Sequence, residues 1–441
     1  MRGSVPGPQV FLIAAVAGLA ALFQAMPARA QRGPVDGHVS LGVDHLPNLD
    51  GATELRARLF VERDWTSGPF RIRAAVLAEG LAADRDQTRR DGHLQVREAT
   101  IGWSGGAFDV RAGIGTIAWG RLDEVQPTDV INPLDASKYL LEGRAEARLP
   151  VTHARVRWFA GEKATVEAVW VPLFTRGRYD VLDEASSPFN LVADAARCPR
   201  SPACPPVAQF LRREPERSLD HSQGGARLSA TSGRVDWAVA VYSGFPGFGR
   251  ISAGPIGVPP GMPPDFVPPV LVFENYPRFT MIGGDAETVR GDWAIRGEMA
   301  VTTGDTVVLG ASPIGGDGHS VRAGIGADRK AGAIRLSGTM LVEHRVADAE
   351  PGLGIAGGTD TNVSLVVGGD RGFARDTRKV KVFGAWNVAD RSGFARTIGT
   401  WSLRDNLSLE GSVGWFFGEG DDTISRFADR DFVTVSLKTY F

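Results

Sequence analysis

Apolar and polar side chains alternate with a period of two along most of this chain. Between residues 54 and 62, Glu54, Arg56, Arg58 and Glu62 share one phase, while Leu55, Ala57, Leu59 and Val61 share the other. The same pattern sets Arg71, Arg73 and Glu79 against Phe70, Ile72, Ala74 and Val76, and Asp109 and Arg111 against Phe108, Val110 and Ile114. It returns with Arg155 and Arg157 against Ala154, Val156 and Trp158, Arg296 and Glu298 against Trp293, Ile295 and Met299, and Lys379 and Lys381 against Val380, Val382 and Trp386. Successive side chains of a strand point to opposite faces, so each segment predicts a β-strand with one apolar and one charged face.

The connections between these segments fall into two lengths. Short Gly- and Asp-containing turns recur at 104–106, 161–163, 231–233, 291–292, 330–332 and 404–406, and they alternate with long connections near 119–140, 174–220, 244–276, 303–317 and 344–360. A soluble sandwich has no reason to sort its loops this way, whereas a bacterial outer-membrane barrel has short periplasmic turns and long extracellular loops. The expected fold is therefore all-β: a transmembrane, antiparallel, up-and-down β-barrel of about 18 strands, with 16 as the alternative. Two stretches read poorly as strands. Residues 361–369 are weak, and in 142–150 the set Arg144, Glu146 and Arg148 slips out of phase with Arg155 and Arg157, which a bulge or a separate inward-folded segment would explain.

The first 30 residues read as a signal peptide. Arg2 precedes an apolar run over 10–23, and Met26, Pro27, Ala28, Arg29 and Ala30 supply a small-x-small cleavage site, which leaves residues 31–441 as a single barrel domain. Composition adds little: 43% hydrophobic and 23% charged residues with a formal net charge of −2 suit a barrel as well as a soluble domain. No basic tail calls for a nucleic-acid partner. The 55 glycines and 27 prolines imply many turns, and Cys198 and Cys204, six residues apart in a polar loop of an exported chain, are expected to form a local disulfide.

Enzymatic motifs fail in context. The GLGIAG run at 352–357 matches a dinucleotide fingerprint by letters, but TNVSLVV follows it instead of a helix, so no helix N-terminus would meet a pyrophosphate. The seven histidines are scattered, and neither HExxH nor GxSxG occurs. Neither an enzyme nor a cofactor or metal site is expected.

A barrel of this size encloses an aqueous lumen unless loops fill it. The basic lumen face is expected to include Arg56, Arg58, Arg71, Arg73, Arg111, Arg155 and Arg157, continued by Arg227, Arg296, Arg322, Arg335, Lys379, Lys381, Arg396 and Lys438. Fewer acids share that phase: Glu54, Glu62, Glu79, Asp109, Glu167, Asp236, Glu298 and Glu410. Ladders of this kind stabilise a polar interior; the sharper expectation is a lumen that favours anions, since rings of Arg or Lys select for them.

One connection stands apart. WGRLDEVQPTDVINPLD, 119–135, carries Arg121, Asp123, Glu124, Asp129 and Asp135, is stiffened by Pro127 and Pro133, and runs into DASKYLLEG, which predicts a short helix from Asp135. Trp119 follows an outward strand and is expected to anchor the outer membrane interface, where aromatic residues collect. The proline-dense, apolar connection 244–276 is expected to act as a lid or packed cap, with contact to lipopolysaccharide, to a partner or to a hydrophobic substrate as the alternatives.

The C-terminal strand, with Val433, Val435, Leu437, Thr439 and terminal Phe441 in one phase, resembles that of bacterial outer-membrane β-barrels, although Thr439 stands where an aromatic residue is common. That resemblance implies outer-membrane localisation, contact with lipid and lipopolysaccharide, and Phe441 as a signal for the barrel-assembly machinery. The 119–135 block, with Trp119, Gly120, Asp123, Thr128, Asp129, Val130, Ile131, Asn132, Pro133 and Asp135, and the later ValTrpValProLeuPhe at 169–174, resemble a family of functionally uncharacterised proteobacterial outer-membrane barrels. The likeness implies a porin-like or export barrel and names no solute. General porins fold such a loop into the lumen, so by analogy Asp123, Glu124, Asp129 and Asp135 would face inward arginines at a constriction. Two functions follow as expectations: an outer-membrane channel for small solutes, or a closed structural or partner-binding barrel of an export or adhesion system. Homo-oligomers are common among porins, and the sequence marks no interface for one.

Overall fold

The computed structural model describes residues 35–49, 52–84, 89–178, 207–255, 270–307, 316–349, 357–419, 422 and 424–441. The signal-peptide segment, Cys198, Cys204 and most of the GLGIAG run lie outside the described residues.

The strands follow in chain order. They are β1 (Asp36–Leu46), β2 (Ala52–Ser67), β3 (Phe70–Asp84), β4 (Arg89–Gly105), β5 (Phe108–Gly115), β6 (Val151–Ala160), β7 (Ala164–Val171), β8 (Val207–Arg213), β9 (Gln223–Ser232), β10 (Val235–Gly244) and β11 (Arg250–Pro255). Then come β12 (Val270–Asn275), β13 (Phe279–Arg290), β14 (Trp293–Val307), β15 (Gly316–Ala331), β16 (Ile334–Ala347), β17 (Gly358–Phe373), β18 (Arg378–Asn387), β19 (Ser392–Arg404), β20 (Leu407–Phe417) and β21 (Phe432–Tyr440). Two short helices, α1 (Ala136–Glu142) and α2 (Arg144–Ala147), lie between β5 and β6.

Eighteen of the strands form one closed antiparallel sheet in which sequence neighbours pair, and β1 pairs with β21 to shut the ring. At the seam Gly37 and Phe441 exchange both backbone hydrogen bonds, at 3.1 and 3.0 Å. Closure leaves no sheet edge, so the backbone groups of the wall pair with one another. Residues 361–369 lie within β17, and 142–150 hold α2 in an inward-folded connection, which accounts for the slipped phase.

The wall is inside-out relative to a soluble protein. Exposed apolar side chains such as Leu55, Ile72, Ile101, Val239, Ile282, Ile325, Val367 and Val413 occupy the outward phase, while Glu79, Asp285 and Glu298 on the inward phase are buried. Trp65, Phe70, Trp103, Phe108, Trp158, Trp293, Phe373 and Trp401 are outward and exposed near the short-turn end, and Trp170, Trp386 and Trp415 near the long-loop end. An apolar band between two aromatic girdles is the surface that hydrocarbon between two headgroup layers selects.

Towards the long-loop end the inward phase itself turns apolar. Ile117, Trp119, Ile131, Val151, Val169, Val171, Tyr242, Phe279 and Met281 form one core inside the barrel, and Leu46, Phe394, Phe416, Phe427 and Phe432 form a second. The remaining strands, β8, β11 and β12, make a small separate sheet from the two longest connections, with β8 and β12 parallel. Gly247 backs onto Pro133, and Gly177 N–H donates to the Gly247 carbonyl at 2.6 Å, so the first part of connection 244–276 packs against the inward-folded segment.

Candidate functional site: a strut across the lumen

After Gly115 the chain turns into the lumen, crosses it, and returns at Val151. Asn132 ties the two ends of this excursion together: its Oδ1 accepts from Ile117 N–H at 2.8 Å and its Nδ2 donates to the Leu149 carbonyl at 2.6 Å. Asn132 is buried, so one side chain supplies partners to two backbone groups that would otherwise lack them.

The first leg is moored to β13–β15. Glu298 of β14, 4% exposed, accepts from the N–H groups of Arg121 (2.9 Å), Leu122 (3.2 Å) and Thr128 (2.7 Å) and from the Thr128 hydroxyl (2.7 Å). Gly120 sits at φ +92°, and a Cβ there would lie 2.6 Å from the Glu298 carboxylate, so this approach needs glycine. The Arg121 guanidinium donates to Asp285 (2.6 Å) and Glu287 (3.0 Å) of β13. Leu122 is buried in a dent that Gly324 and Gly326 leave on the inner face of β15, where a Cβ would meet it at 2.6 and 3.1 Å.

The second leg is moored on the far side. Glu79 of β3, 1% exposed, accepts from Lys138 of α1 (2.9 Å), Arg58 (2.7 Å) and Arg56 (3.3 Å), and Arg58 also donates to Glu142 of α1. Arg97, the residue bulged out of the β3–β4 register, donates to the carbonyls of Glu146 (3.3 Å) and Arg148 (3.2 Å). Burial pushes the Glu142 carboxyl up, but Arg58 and Lys138 outweigh it and hold the group below its usual range. Glu79 and Glu298 stand on strands separated by seven others (β4, β5, β6, β7, β9, β10 and β13), so the excursion spans the ring between nearly opposite walls.

This arrangement inverts the charge pattern expected of the acidic loop. Of its acids, Asp123 meets a wall arginine, Arg296, at 3.6 Å. Asp129 is buried and held by Arg144 (2.9 Å) and Arg148 (2.8 Å) of the strut itself. Asp135 is buried where its backbone bridges to Arg178, and Glu124 lines an open cavity. The mooring runs the other way, from loop cations and N–H groups to wall carboxylates. Trp119 is a correction: it is 2% exposed inside the barrel, donates from Nε1 to Glu167 at 2.7 Å and meets Tyr242 edge-on. The strand stops at Gly115, so Trp119 has already entered the lumen and cannot anchor the membrane interface.

All seven expected lumen arginines lie on the inward phase, each with a carboxylate within 4.0 Å. Arg56 and Arg58 meet Glu79 at 3.3 and 2.7 Å, and Arg71 and Arg73 meet Asp64 at 2.6 and 2.8 Å. Arg111 meets Glu98 at 3.9 Å, and Arg155 and Arg157 meet Asp109 at 3.7 and 2.8 Å. Glu79, Glu298 and Lys138 carry no mark of an anchor in the local sequence pattern. The inward-phase pair Gly324 and Gly326 was the available signal, because glycines on a charged lumen face leave room for something to dock.

The strut leaves the wall of β16–β21 and β1 uncovered. A cavity of 490 Å³ lies between Asp123, Glu124, Glu142, Arg144 and Arg148 of the strut and Arg335, Ser337, Thr339, Asp370, Lys381 and Phe383 of the wall. A second, of 230 Å³, is lined by Ser40, Arg56, Arg58, Arg396, Ser408, Glu410, Ser436 and Lys438, and Glu142 borders both. Lys379, Lys381 and Lys438 make no ion pair among the described residues.

A family described as "Protein of unknown function (DUF1302)" matches residues 96–389. The chain belongs to that family. The family match begins inside β4, ends just past β18 and contains the whole strut. No curated protein matches the sequence. Among solved structures, a mutant of the porin of Rh. blastica is similar at 11% identity and a TM-score of 0.40, over 92% of this chain and 99% of that one. OccK5 (OpdH) of Pseudomonas aeruginosa is similar at 10% identity and a TM-score of 0.48, over 92% and 96%. OccAB4 of Acinetobacter baumannii is similar at 9% and 0.46, over 93% and 98%.

Proposed function

We propose that this member of the DUF1302 family is a non-enzymatic outer-membrane channel for small solutes, with the strut as its constriction and an anion-favouring path along the uncovered wall. The observation that carries the reading is the set of lysines along the opening. Lys381 and Lys438 line its two cavities and Lys379 stands on the same inward phase; none of the three has a carboxylate within ion-pair distance among the described residues, although Asp370 and Glu410 share that wall and Asp123 and Glu124 face it from the strut. A mobile counter-charge is what an unpaired lysine in a wet, partly enclosed path attracts. In this reading residues 1–30 direct export, Phe441 at the seam is read by the assembly machinery, and the outer wall contacts lipid and lipopolysaccharide. Planar-bilayer recording in a salt gradient tests it: single-channel conductance with a reversal potential favouring anions is expected. Cation preference would remove the anion path, and absence of conductance would remove the channel.

One observation favours a second reading, a closed barrel that binds a partner. Phe394, Phe416, Phe427 and Phe432 are all buried against one another at the long-loop end, a packed closure above part of the uncovered wall. Under that reading the same recording gives no conductance.

A further inference from the structure

The outer face of the barrel carries a second ordered set of charges that the channel reading does not use. Along the short-turn rim of β13–β19, arginines alternate with aromatic rings from strand to strand. Arg290 is opposite Trp293, and Trp293 is opposite Arg329; further round, Phe373 is opposite Arg378, and Arg378 is opposite Trp401. Arg371 stands two residues before Phe373 in the same outward phase. Three guanidiniums lie over the rings: Arg329 over Trp293 at 5.4 Å, Arg371 over Phe373 at 4.8 Å and Arg378 over Trp401 at 4.9 Å. The rings are exposed, and Arg371 and Arg378 make no ion pair among the described residues; Arg329 has an exposed partner in Asp292 at 3.6 Å. In the opposite sector Trp65, Phe70, Trp103, Phe108 and Trp158 form the same girdle; among the described residues Arg63 lies over Trp65 there at 4.7 Å, and Arg157, on the inward phase, lies over Phe159 at 5.8 Å.

A guanidinium held over a ring face still has N–H groups to offer at its edge, and such an edge matches two phosphate oxygens. Tryptophan marks the depth of lipid headgroups, and the strands continue from this rim into Ile334, Leu336, Val367, Val380 and Val382, which suit acyl chains. A free phosphate ion would gain nothing from that apolar continuation; a phospholipid uses both parts. We propose that the short-turn rim of β13–β19 is a binding surface for the headgroups of anionic phospholipids in the leaflet at that end of the barrel, with Arg329, Arg371 and Arg378 as the phosphate contacts.

The proposal is independent of whether the lumen conducts. Purified full-length protein equilibrated with a mixture of phosphatidylethanolamine and phosphatidylglycerol, then examined by native mass spectrometry, is expected to retain the anionic lipid in several-fold excess. R329Q/R371Q/R378Q is expected to lose most of that excess, R371K/R378K to keep part of it, and R63Q, outside the sector, to keep it all. Heat-modifiable gel mobility checks the folding of each variant; the single variants R371Q and R378Q, each expected to lose part of the excess, serve if the triple does not fold. Equal retention of neutral and anionic lipid by the unaltered protein overturns the proposal, as does undiminished excess in the folded glutamine variants. Displacement of the lipid by inorganic phosphate alone would likewise overturn it, showing an ion site in place of a lipid surface.

Discussion

In the arc of wall that receives the strut, Arg58, Arg73, Arg157, Arg227, Arg296 and Arg322 each stand within 3.1 Å of a carboxylate. In the uncovered arc, Lys379, Lys381 and Lys438 have no acid partner among the described residues. Both arcs are antiparallel wall with an outward apolar phase, so the difference lies in what the charges are for. A buried arginine left without a partner would be costly, and acids placed beside it make the moored arc close to neutral. Lysines facing water carry no such cost and keep their field. Counting basic residues on the inward phase therefore overstates the positive potential of the lumen as a whole: the lysines without an ion pair sit in one arc, beside Asp370 and Glu410.

The comparison breaks most severely at Glu298. Glu298→Ala removes the acceptor of three N–H groups and a hydroxyl, at about 1–3 kcal/mol for each donor left unsatisfied. The first leg of the strut is expected to detach, with conductance rising several-fold and new proteolytic cleavage within 116–150. Gly120→Ala attacks the same mooring through φ +92° and the 2.6 Å approach to Glu298, at a cost of about 1–2 kcal/mol for the backbone strain alone. It should give a partial form of the same phenotype, and unchanged conductance and cleavage would show that the strut holds without this contact.

Neutralising the three lysines tests the contrast without moving the strut. K379Q/K381Q/K438Q is expected to shift the reversal potential towards cations, while R155Q, in the neutralised arc, should shift it far less; equal shifts would erase the distinction between arcs. The smallest effect concerns pH. The Glu142 carboxyl is held below its usual range by Arg58 and Lys138, so its contribution to the second mooring is complete above the ordinary glutamate range and lost only as pH falls through a lower value. Conductance and protease resistance should therefore stay flat from neutral pH down to ordinary glutamate pKa values and change only below them. A transition near neutrality would mean that Glu142 is not the group concerned.

The strands and turns were legible because membrane and lumen impose opposite polarity on alternate residues, and only chain reversal interrupts that pattern. The inward excursion was legible as an anomaly in the 119–135 block, through its acids, its prolines and the helix following Asp135. Its partners were not. Glu79 and Glu298 look like any other inward residue, since long-range pairing across a ring leaves no trace in local periodicity. Trp119 was misplaced for a related reason: an aromatic residue after an outward strand reads the same whether the chain continues along the wall or bends inside. Val169, Val171, Tyr242 and Met281, apolar in the inward phase, were the clue that part of the lumen is packed instead of wet.

A hoop pinned by a rod across one diameter is stiff along that diameter and compliant across it. The strut, fixed to Glu79 at one end and Glu298 at the other, makes the barrel such a hoop. Lateral pressure from the bilayer would then be resisted along the pinned axis and taken up by the untethered arc of β16–β21. That arc carries the lysines without acid partners, so the same tie that narrows the opening also decides which wall breathes.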